Sequence, residues 1–131
     1  MGDMIGVILV GHGSSKHYNS EVVKYFADKL RNRYPYVDYA FIQINKPSLN
    51  EALLKAVSSG IESLVIQPVF LTRGAHVDHD IPRILGLSDG AKKGKIELMG
   101  RSVNLIISEP IGMDDRLVEI LSDRIEEALR T

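Results

Sequence analysis

Apolar residues fall along this chain in short runs, separated by segments in which they recur at helical spacing. Ile5 to Val10 (IGVILV) is continuous and rich in β-branched residues, which is typical of a strand buried on both faces. Similar runs cover Tyr36 to Ile44, Leu64 to Leu71 and Val103 to Ser108. The pattern therefore predicts four strands with helices between them.

The intervening segments carry apolar residues every three or four positions, and they begin and end at recognisable capping signals. The last of them is amphipathic, with its apolar residues at Leu117, Ile120, Leu121, Ile125 and Leu129. The predicted helices run from Asn19 to about Arg33, from Pro47 to near Gly60, from Asp80 to near Gly86, and from Asp114 or Asp115 onward.

Residues 87–101 show no clear period. They contain three glycines together with Lys92, Lys93 and Lys95, so we predict an exposed excursion there. A short strand over Ile96 to Met99 is an open alternative within it.

Strands that alternate with helices indicate a parallel sheet covered by helices on both faces. Right-handed crossovers in a four-stranded sheet of this size favour the flavodoxin-like strand order 2-1-3-4. We therefore predict one α/β domain over residues 1–131. The strand order reverses between the first and third strands, and ligands of such sheets bind at that switch point.

Two glycine-flanked histidines follow the strands that border this switch point. His12 lies in Gly11-His12-Gly13-Ser14, after the first strand, and His76 ends Arg73-Gly74-Ala75-His76, after the third. No sequence spacing joins them, but the fold should bring both to one crevice. Neutral imidazole binds divalent ions such as Co²⁺, Ni²⁺, Fe²⁺ and Zn²⁺. Two histidines leave the remaining ligand positions open, so the site should hold an ion and release it.

Composition narrows the range of partners. Sixteen basic and 17 acidic residues give a net charge of −1 with no polybasic tract, which argues against nucleic acid and anionic membranes as partners. No run approaches the roughly 20 apolar residues of a membrane span, and none resembles a signal peptide. The chain has no cysteine, which excludes thiolate ligands. We expect a soluble, cytoplasmic protein.

Other polar residues near the two loops have less definite roles. His17 and His79 are expected to be exposed helical residues rather than ligands. Asp78 and Asp80 can accept the second N–H of His76 or cap the following helix, and the sequence leaves both roles open. Ser14 lacks the surroundings of a nucleophile elbow. The glycines around it match neither a P-loop nor a dinucleotide fingerprint, although their amides can bind an anion.

Three segments together resemble a known family. Leu9 to Ser14, Pro68 to Pro82 with Gly74-Ala75-His76-Val77 inside it, and Glu109-Pro110-Ile111-Gly112 are similar to the small class II tetrapyrrole chelatases. These are the archaeal-type sirohydrochlorin cobaltochelatases and nickelochelatases, which are related to the sirohydrochlorin ferrochelatases. The likeness runs through essentially the whole chain in matching order.

The resemblance implies ATP-independent insertion of Co²⁺ or Ni²⁺ into sirohydrochlorin with release of two protons. The metal is then a substrate, and no tightly bound cofactor is expected. The resemblance also implies that His12 and His76 are the metal ligands and that His12 accepts a proton. By the same resemblance, the substrate contacts are Lys46, Phe70, Leu71, Thr72, Arg73, Gly74 and Ala75.

Related chelatases are about twice as long and build their cleft from two similar lobes, so the resemblance further implies a symmetric homodimer with the tetrapyrrole between its subunits. The apolar residues expected at that interface are Phe70, Leu71 and the Ile81 to Leu87 segment. Two other classes stay open: a metallochaperone or anion-binding flavodoxin-like module without turnover, and a flavin or nucleotide carrier. The sequence does not identify the metal. It also does not show whether the product enters cobalamin, nickel-tetrapyrrole or siroheme synthesis.

Overall fold

A computed structural model of the chain describes residues 4–130, so the ends of the predicted domain, residues 1–3 and 131, lie outside the described residues. The strands are β1 (Ile5–Gly11), β2 (Tyr36–Phe41), β3 (Ser63–Pro68), β4 (Lys93–Leu98) and β5 (Arg101–Ile107). The helices are α1 (His17–Leu30), α2 (Leu49–Ser58), α3 (Ile81–Ile84) and α4 (Asp115–Leu129), and one turn of π-helix, His76–Asp80, leads directly into α3.

The sheet corrects the prediction of four parallel strands. Residues 4–130 form a mixed sheet of five strands in the order β2-β1-β3-β5-β4. The four predicted strands are β1, β2, β3 and β5, which run parallel in the predicted relative order. The additional strand, β4, pairs antiparallel with β5 at the edge of the sheet. It covers six residues of the segment 87–101 that was expected to be an excursion, and it overlaps the short strand that was left open over Ile96 to Met99.

A tight hairpin explains why the sequence pattern indicated only part of β4, as the open alternative over Ile96 to Met99. Met99 and Gly100, the two residues between β4 and β5, have φ angles of 54° and 76°. A two-residue turn with positive φ at both positions matches the twist of antiparallel strands, and its usual sequence signal is Asn-Gly or Asp-Gly. The turn has methionine instead of Asn or Asp at its first position, so this signal is missing from the sequence. Within β4 the exposed residues Lys93, Lys95 and Glu97 alternate with partly buried ones.

Alternation along β1 divides the core into two layers, which confirms helices on both faces. Ile8 and Val10 point to the layer that contains α2 and α3. Val7 and Leu9 point to the opposite layer, where Val23 and Ala27 of α1 pack. Continuous apolar residues are needed in β1 because both of its faces are buried.

Helix α4 differs from the others because none of its residues is buried. Asp114 is its N-cap and accepts a hydrogen bond from the backbone N–H of Arg116. The hydrogen bonds from Arg116 lower the pKa of Asp114 to about 2. Within residues 4–130, no helix is both long and apolar enough to cross a lipid bilayer.

Candidate metal centre

The carboxyl ends of β1 and β3 bring His12 and His76 together, as their places beside the switch point predict. Their Nε2 atoms are 2.9 Å apart, and their ring centroids are 4.3 Å apart. Both side chains are partly buried, so the pair lies at the surface of the crevice rather than in the core. Sixty-four positions separate the two histidines in sequence, and only the crossover between the parallel strands joins them.

The loop after β2 holds the His12 loop in place. The backbone N–H of Gln43 donates to the His12 carbonyl at 3.1 Å, and the Ser14 N–H donates to Asn45 Oδ1 at 2.6 Å. Gly13 has a φ of 98°, and a Cβ there would lie 1.8 Å from the Gln43 carbonyl oxygen, so only glycine fits. Asn45 was not among the predicted site residues, because an asparagine in a polar loop carries no sequence signal for this contact.

His76 is fixed by the helical turn that it begins. Helix α3 begins at Ile81, directly after Asp80 as predicted, but the Asp80 side chain makes no capping bond and the π-helical turn His76–Asp80 precedes the helix. One turn of helix instead brings Asp80 Oδ2 to 2.6 Å from His76 Nδ1. Of the two roles left open for Asp80, acceptance of the second N–H of His76 is the one observed. Asp78 takes neither role, because its carboxylate pairs with Arg73.

The hydrogen-bond partners assign the protons of the two rings. His12 Nδ1 lies 3.0 Å from the Gly13 carbonyl oxygen, and His76 Nδ1 faces the Asp80 carboxylate. Both partners are acceptors, so each Nδ1 carries the proton of a neutral imidazole. Each Nε2 then presents a lone pair to the other at 2.9 Å. Two lone pairs that face each other at this distance can bind one cation or share one proton.

An apolar wall borders this pair. The Phe70 ring centroid is 6.5 Å from that of His12 and 6.3 Å from that of His76. A cavity of about 280 Å³ opens beside His12, and it is lined by Gly11, His12, Gly13, Asn19, Val22, Val23, Phe41, Val69 and Phe70. The site therefore combines two nitrogen donors with a mostly apolar surface, which suits a flat ligand with a polar centre.

A family model, CbiX, matches residues 6–128. The chain belongs to the CbiX family. It is 38% identical over 124 residues to a protein named sirohydrochlorin cobaltochelatase from Saccharolobus islandicus (strain L.S.2.15 / Lassen #1), covering 95% of both chains. It is also 38% identical over 133 residues to a protein of that name from Methanothermobacter thermautotrophicus, covering 95% of this chain and 93% of that one.

Solved structures agree on the chelatase-like fold. The CbiX protein from Marinobacter aquaeolei VT8 superposes with a TM-score of 0.68 at 24% identity, covering 96% of this chain and 98% of that chain. SirB from Bacillus subtilis, described with Fe³⁺, superposes with a TM-score of 0.77 at 21% identity. That match covers 95% of this chain and 47% of SirB, so this CbiX chain corresponds to about half of the SirB chain.

The predicted substrate strip of this CbiX chain leads from β3 to His76. Phe70 is partly buried, and Leu71, Thr72, Arg73, Gly74 and Ala75 are all exposed. A Cβ on Gly74 would meet no atom within 4 Å, so the strip is open to a ligand at that point.

Arg73, one of the predicted substrate contacts, is paired with two carboxylates. Its guanidinium donates to Glu109 at 2.5 Å and to Asp78 at 2.7 Å, and Lys92 donates to Glu109 at 3.0 Å. These bonds, the one to Glu109 first, raise the pKa of Arg73, and the bonds from Arg73 and Lys92 lower the pKa of Glu109. Glu109 appeared in the sequence only as part of a family motif, and its distance of 36 positions from Arg73 hid the contact.

Lys46 lies in the loop after β2, as predicted, and the structure does not bring it to the histidine pair. Its ammonium group is 3.5 Å from Glu51 and its side chain is 78% exposed. The pKa of Glu51 is lowered chiefly by its hydrogen bond to the Ser48 backbone, with Lys46 as a lesser cause. Lys46 is thus held near the start of α2 by a weak, solvent-exposed ion pair.

The other two histidines lie outside the centre, in line with the expectation that they are exposed. His79 contacts Asp89 at 2.6 Å, and His17 lies 3.6 Å from Glu21. Among residues 4–130, no group of three or more histidine, aspartate or glutamate side chains is arranged to hold a metal. An ion held by His12 and His76 alone would have most of its coordination positions open to other ligands.

The proposed interface segment Ile81 to Leu87 needs correction. Ile81 and Leu85 are 0% and 3% exposed, because they pack into the core layer under α2. Both residues lie on the side of the helix that faces its own sheet, so they are not available to a partner. Leu71, at 63% exposure, remains available to a partner near the site.

Proposed function

We propose that this chain inserts Co²⁺ into sirohydrochlorin, with His12 and His76 as the metal ligands. The reaction needs no ATP and releases two protons for each ion inserted. The observation that carries the proposal is the pair of Nε2 atoms facing each other at 2.9 Å with both Nδ1 atoms on acceptors. Support for the substrate comes from the relatives named sirohydrochlorin cobaltochelatase, which are 38% identical over nearly the whole chain.

The spacing of the two nitrogens suits an ion with octahedral coordination. Two nitrogens 2.9 Å apart, each about 2.05 Å from one ion, subtend an angle of about 90°. This is the angle between neighbouring ligands in an octahedron, whereas a tetrahedron requires about 109°. The other positions are free for water or for the pyrrole nitrogens of the substrate. The ion can therefore pass from the imidazoles to the macrocycle without losing all of its ligands at once.

His12 is the proposed proton acceptor. Once the ion has moved into the macrocycle, the two Nε2 lone pairs again face each other at hydrogen-bond distance. One of the two protons released from the pyrrole N–H groups can then bind His12 Nε2 and be shared with His76 Nε2, and the other passes to solvent. The histidine pair would thus exchange a divalent ion for a proton, and the next ion would displace that proton.

The proposed tetrapyrrole surface runs from Phe70 along the exposed strip to His76. Phe70 offers an apolar face beside the ion, and the strip Leu71, Thr72, Arg73, Gly74 and Ala75 offers backbone donors and open space. Lys46 approaches the carboxylates at the edge of the macrocycle from the loop after β2. Arg73, already paired with Glu109 and Asp78, contributes its remaining N–H groups rather than an unpaired charge.

A homodimer would complete this surface. We propose that residues 1–131 form one chelatase-like domain and that two copies enclose the macrocycle between their histidine loops. The cavity of one chain, about 280 Å³, lies below the usual range of small-molecule sites and is too small for a tetrapyrrole. SirB, with a chain about twice as long, is matched by this fold over half of its length.

Ni²⁺ is a second proposed substrate metal. Both ligands are imidazoles, and nitrogen ligands bind Ni²⁺ at least as well as Co²⁺ in the general order of divalent affinities. Supply of the two ions would then decide which product forms. Insertion rates measured with Co²⁺ and Ni²⁺ separately and in competition would measure this preference directly.

The central test replaces each histidine in turn. His12→Ala and His76→Ala should each lower the rate of cobalt insertion by at least about 100-fold, because each removes half of the metal site or the proton acceptor. Insertion is followed by the change in the visible spectrum of sirohydrochlorin. His79→Ala is the matched control, because it removes a nearby carboxylate-bonded histidine outside the pair, and it should leave the rate unchanged.

Circular dichroism should show the same fold for all three variants, because none of these side chains lies in the core. A His12→Ala or His76→Ala protein with near-normal turnover would overturn the assignment for that residue. If the wild-type protein binds Co²⁺ but does not accelerate insertion over the uncatalysed rate, the chelatase proposal fails and a metallochaperone is favoured.

A further inference from the structure

The loop between β2 and α2 contains a strained turn beside the His12 loop. The Asn45 N–H donates to the Gln43 carbonyl at 2.7 Å, which closes a three-residue γ-turn about Ile44. Ile44 has a φ of 68°, the sign found in the rare and strained form of this turn. A β-branched residue at positive φ is an outlier that raises the free energy of the folded chain. The Ile44 side chain is 66% exposed, so its own burial does not offset the strain.

The residues on either side of Ile44 both bind the His12 loop. The Gln43 N–H donates to the His12 carbonyl at 3.1 Å, and Asn45 Oδ1 accepts from the Ser14 N–H at 2.6 Å. Strained backbone persists only where the surrounding structure fixes it, and it is concentrated at functional sites. The strain at Ile44 is therefore offset by contacts that order the His12 loop, and not by packing of its own side chain.

One peptide group connects Asn45 to the His12 ring. The N–H of this group belongs to Ser14 and donates to Asn45, and its carbonyl belongs to Gly13 and lies 3.0 Å from His12 Nδ1. A peptide group is planar, so its carbonyl cannot turn without turning its N–H. A hydrogen bond on the N–H side also polarises the carbonyl, which makes it a better acceptor. Asn45 thus bears on the proton of His12 Nδ1 without touching the ring.

Gly13 makes the bond to Asn45 necessary. Its φ of 98° lies in the region that glycine adopts without steric cost. Rotation of the backbone at Gly13 swings its carbonyl away from the His12 ring, and a glycine opposes such rotation less than any other residue. The hydrogen bond from the Ser14 N–H to Asn45, 31 positions away, opposes it instead.

We propose that Asn45 is a positioning residue for His12 and acts through the peptide group between Gly13 and Ser14. Asn45 holds the Gly13 carbonyl on His12 Nδ1, which keeps a proton on Nδ1 and leaves Nε2 to face His76. Asp80 does the same for His76 by direct contact. The effect on the His12 ring rests on the geometry alone, whereas an effect on cobalt also rests on the proposed function.

Exchange of the two ring protons with water tests the proposal. Nuclear magnetic resonance of the metal-free protein with isotope-labelled histidine measures how fast the Nδ1 protons of His12 and His76 exchange. Asn45→Ala removes the acceptor of the Ser14 N–H, so the His12 Nδ1 proton should exchange at least about tenfold faster. The His76 Nδ1 proton, held by Asp80, is an internal reference and should not change.

Further variants separate this effect from a general loosening of the loop. Asn45→Asp keeps an oxygen at the same position and should restore slow exchange at His12. Asn45→Ser, whose oxygen is one bond closer to the backbone, should behave like Asn45→Ala. Asn50→Ala is the matched control, because it removes an exposed asparagine of α2 outside the loop, and it should match the wild type. Circular dichroism checks that all variants keep the fold.

Titration with Co²⁺ is carried out on the same proteins. Asn45→Ala should bind Co²⁺ about tenfold more weakly, because losing an outer partner of a ligating histidine weakens metal binding. Unchanged exchange at His12 in Asn45→Ala, or equal acceleration at His12 and His76, would overturn the proposal. Failure of Asn45→Asp to restore slow exchange would overturn it too. Faster exchange at His12 with unchanged Co²⁺ affinity would support the positioning role and reject His12 as a metal ligand, so the two proposals can fail separately.

Discussion

At the scale of single residues, the hydrogen-bond acceptors at the two Nδ1 atoms determine the proposed chemistry of His12 and His76. His12 is oriented by the neighbouring Gly13 carbonyl, and His76 by the Asp80 carboxylate. A carboxylate on the distal nitrogen fixes the tautomer of a ligating imidazole and increases its basicity. If both histidines bind the metal as proposed, they are unequal ligands, and His76 is expected to be the stronger donor.

Substitution of Asp80 tests whether its carboxylate makes His76 a stronger metal donor than His12. Asp80→Asn keeps an oxygen that can accept from His76 Nδ1 but removes the negative charge, so the metal should bind about 10- to 100-fold more weakly. Titration with Co²⁺ measures that affinity directly. Asp80→Ala, which also removes the acceptor, should weaken binding at least as much.

Asp89→Asn is the matched control, because Asp89 makes the same 2.6 Å contact with His79, outside the pair. It should leave both Co²⁺ affinity and insertion unchanged. An Asp80→Asn protein that binds Co²⁺ as tightly as Asp89→Asn would show that the carboxylate does not tune His76.

At the scale of elements, two local structures depart from the sequence pattern. The π-helical turn His76–Asp80 begins before the expected cap, with the Ile81 N–H donating to the His76 carbonyl. A helix begun at Asp80 would leave His76 in a loop, without an acceptor one turn later. The β4–β5 hairpin likewise forms around a methionine at φ 54°, a conformation that favours glycine or asparagine.

The hairpin turn can be improved by one substitution. Met99→Asn restores the preferred Asn-Gly turn, so it should raise the free energy of unfolding by about 0.5 to 1 kcal/mol. Chemical denaturation of the two proteins under the same conditions measures the difference.

Cobalt insertion should not change in Met99→Asn, because the turn follows the edge strand and takes no part in the metal centre. Met99→Val is the opposite control. A β-branched residue at positive φ should lower stability. Equal stability of the Asn and Val variants would contradict the turn assignment.

At the scale of the whole molecule, one chain provides an open site and leaves the apolar residues of helix α4 unburied. Light scattering at micromolar concentration should therefore give twice the mass of the chain. A stable dimer of this kind buries at least about 1,000 Å². On dilution, the insertion rate per chain should fall together with the dimer fraction, because the tetrapyrrole surface needs both copies.

Leu71→Glu should shift this equilibrium toward monomer, since Leu71 is exposed beside both the metal centre and the start of α4. Tyr34→Glu, an exposed position at the opposite end of the sheet, is the control and should remain dimeric. A monomer that keeps its full rate at every dilution would refute the shared cleft while leaving the histidine ligands in place.

The sequence by itself determined the parallel part of the sheet, the helices on both faces and the edge at which the histidines lie. Those features follow from local periodicity and from the fixed hand of crossover connections. The sequence motifs also resemble those of the short class II chelatases. The CbiX family model matches residues 6–128, which confirms that family. The substrate roles of Lys46 and of the Phe70 to Ala75 strip stay predictions.

Only the tertiary structure decided what each charged or apolar side chain contacts. The Arg73 guanidinium pairs with Glu109, and the Asp80 carboxylate contacts His76 Nδ1. Ile81 and Leu85 are buried in the core, whereas the apolar residues of α4 are not buried. Periodicity shows that a helix has an apolar face but not which surface covers it. Contacts between residues tens of positions apart depend on how the elements pack, because a local pattern carries no information about distant partners.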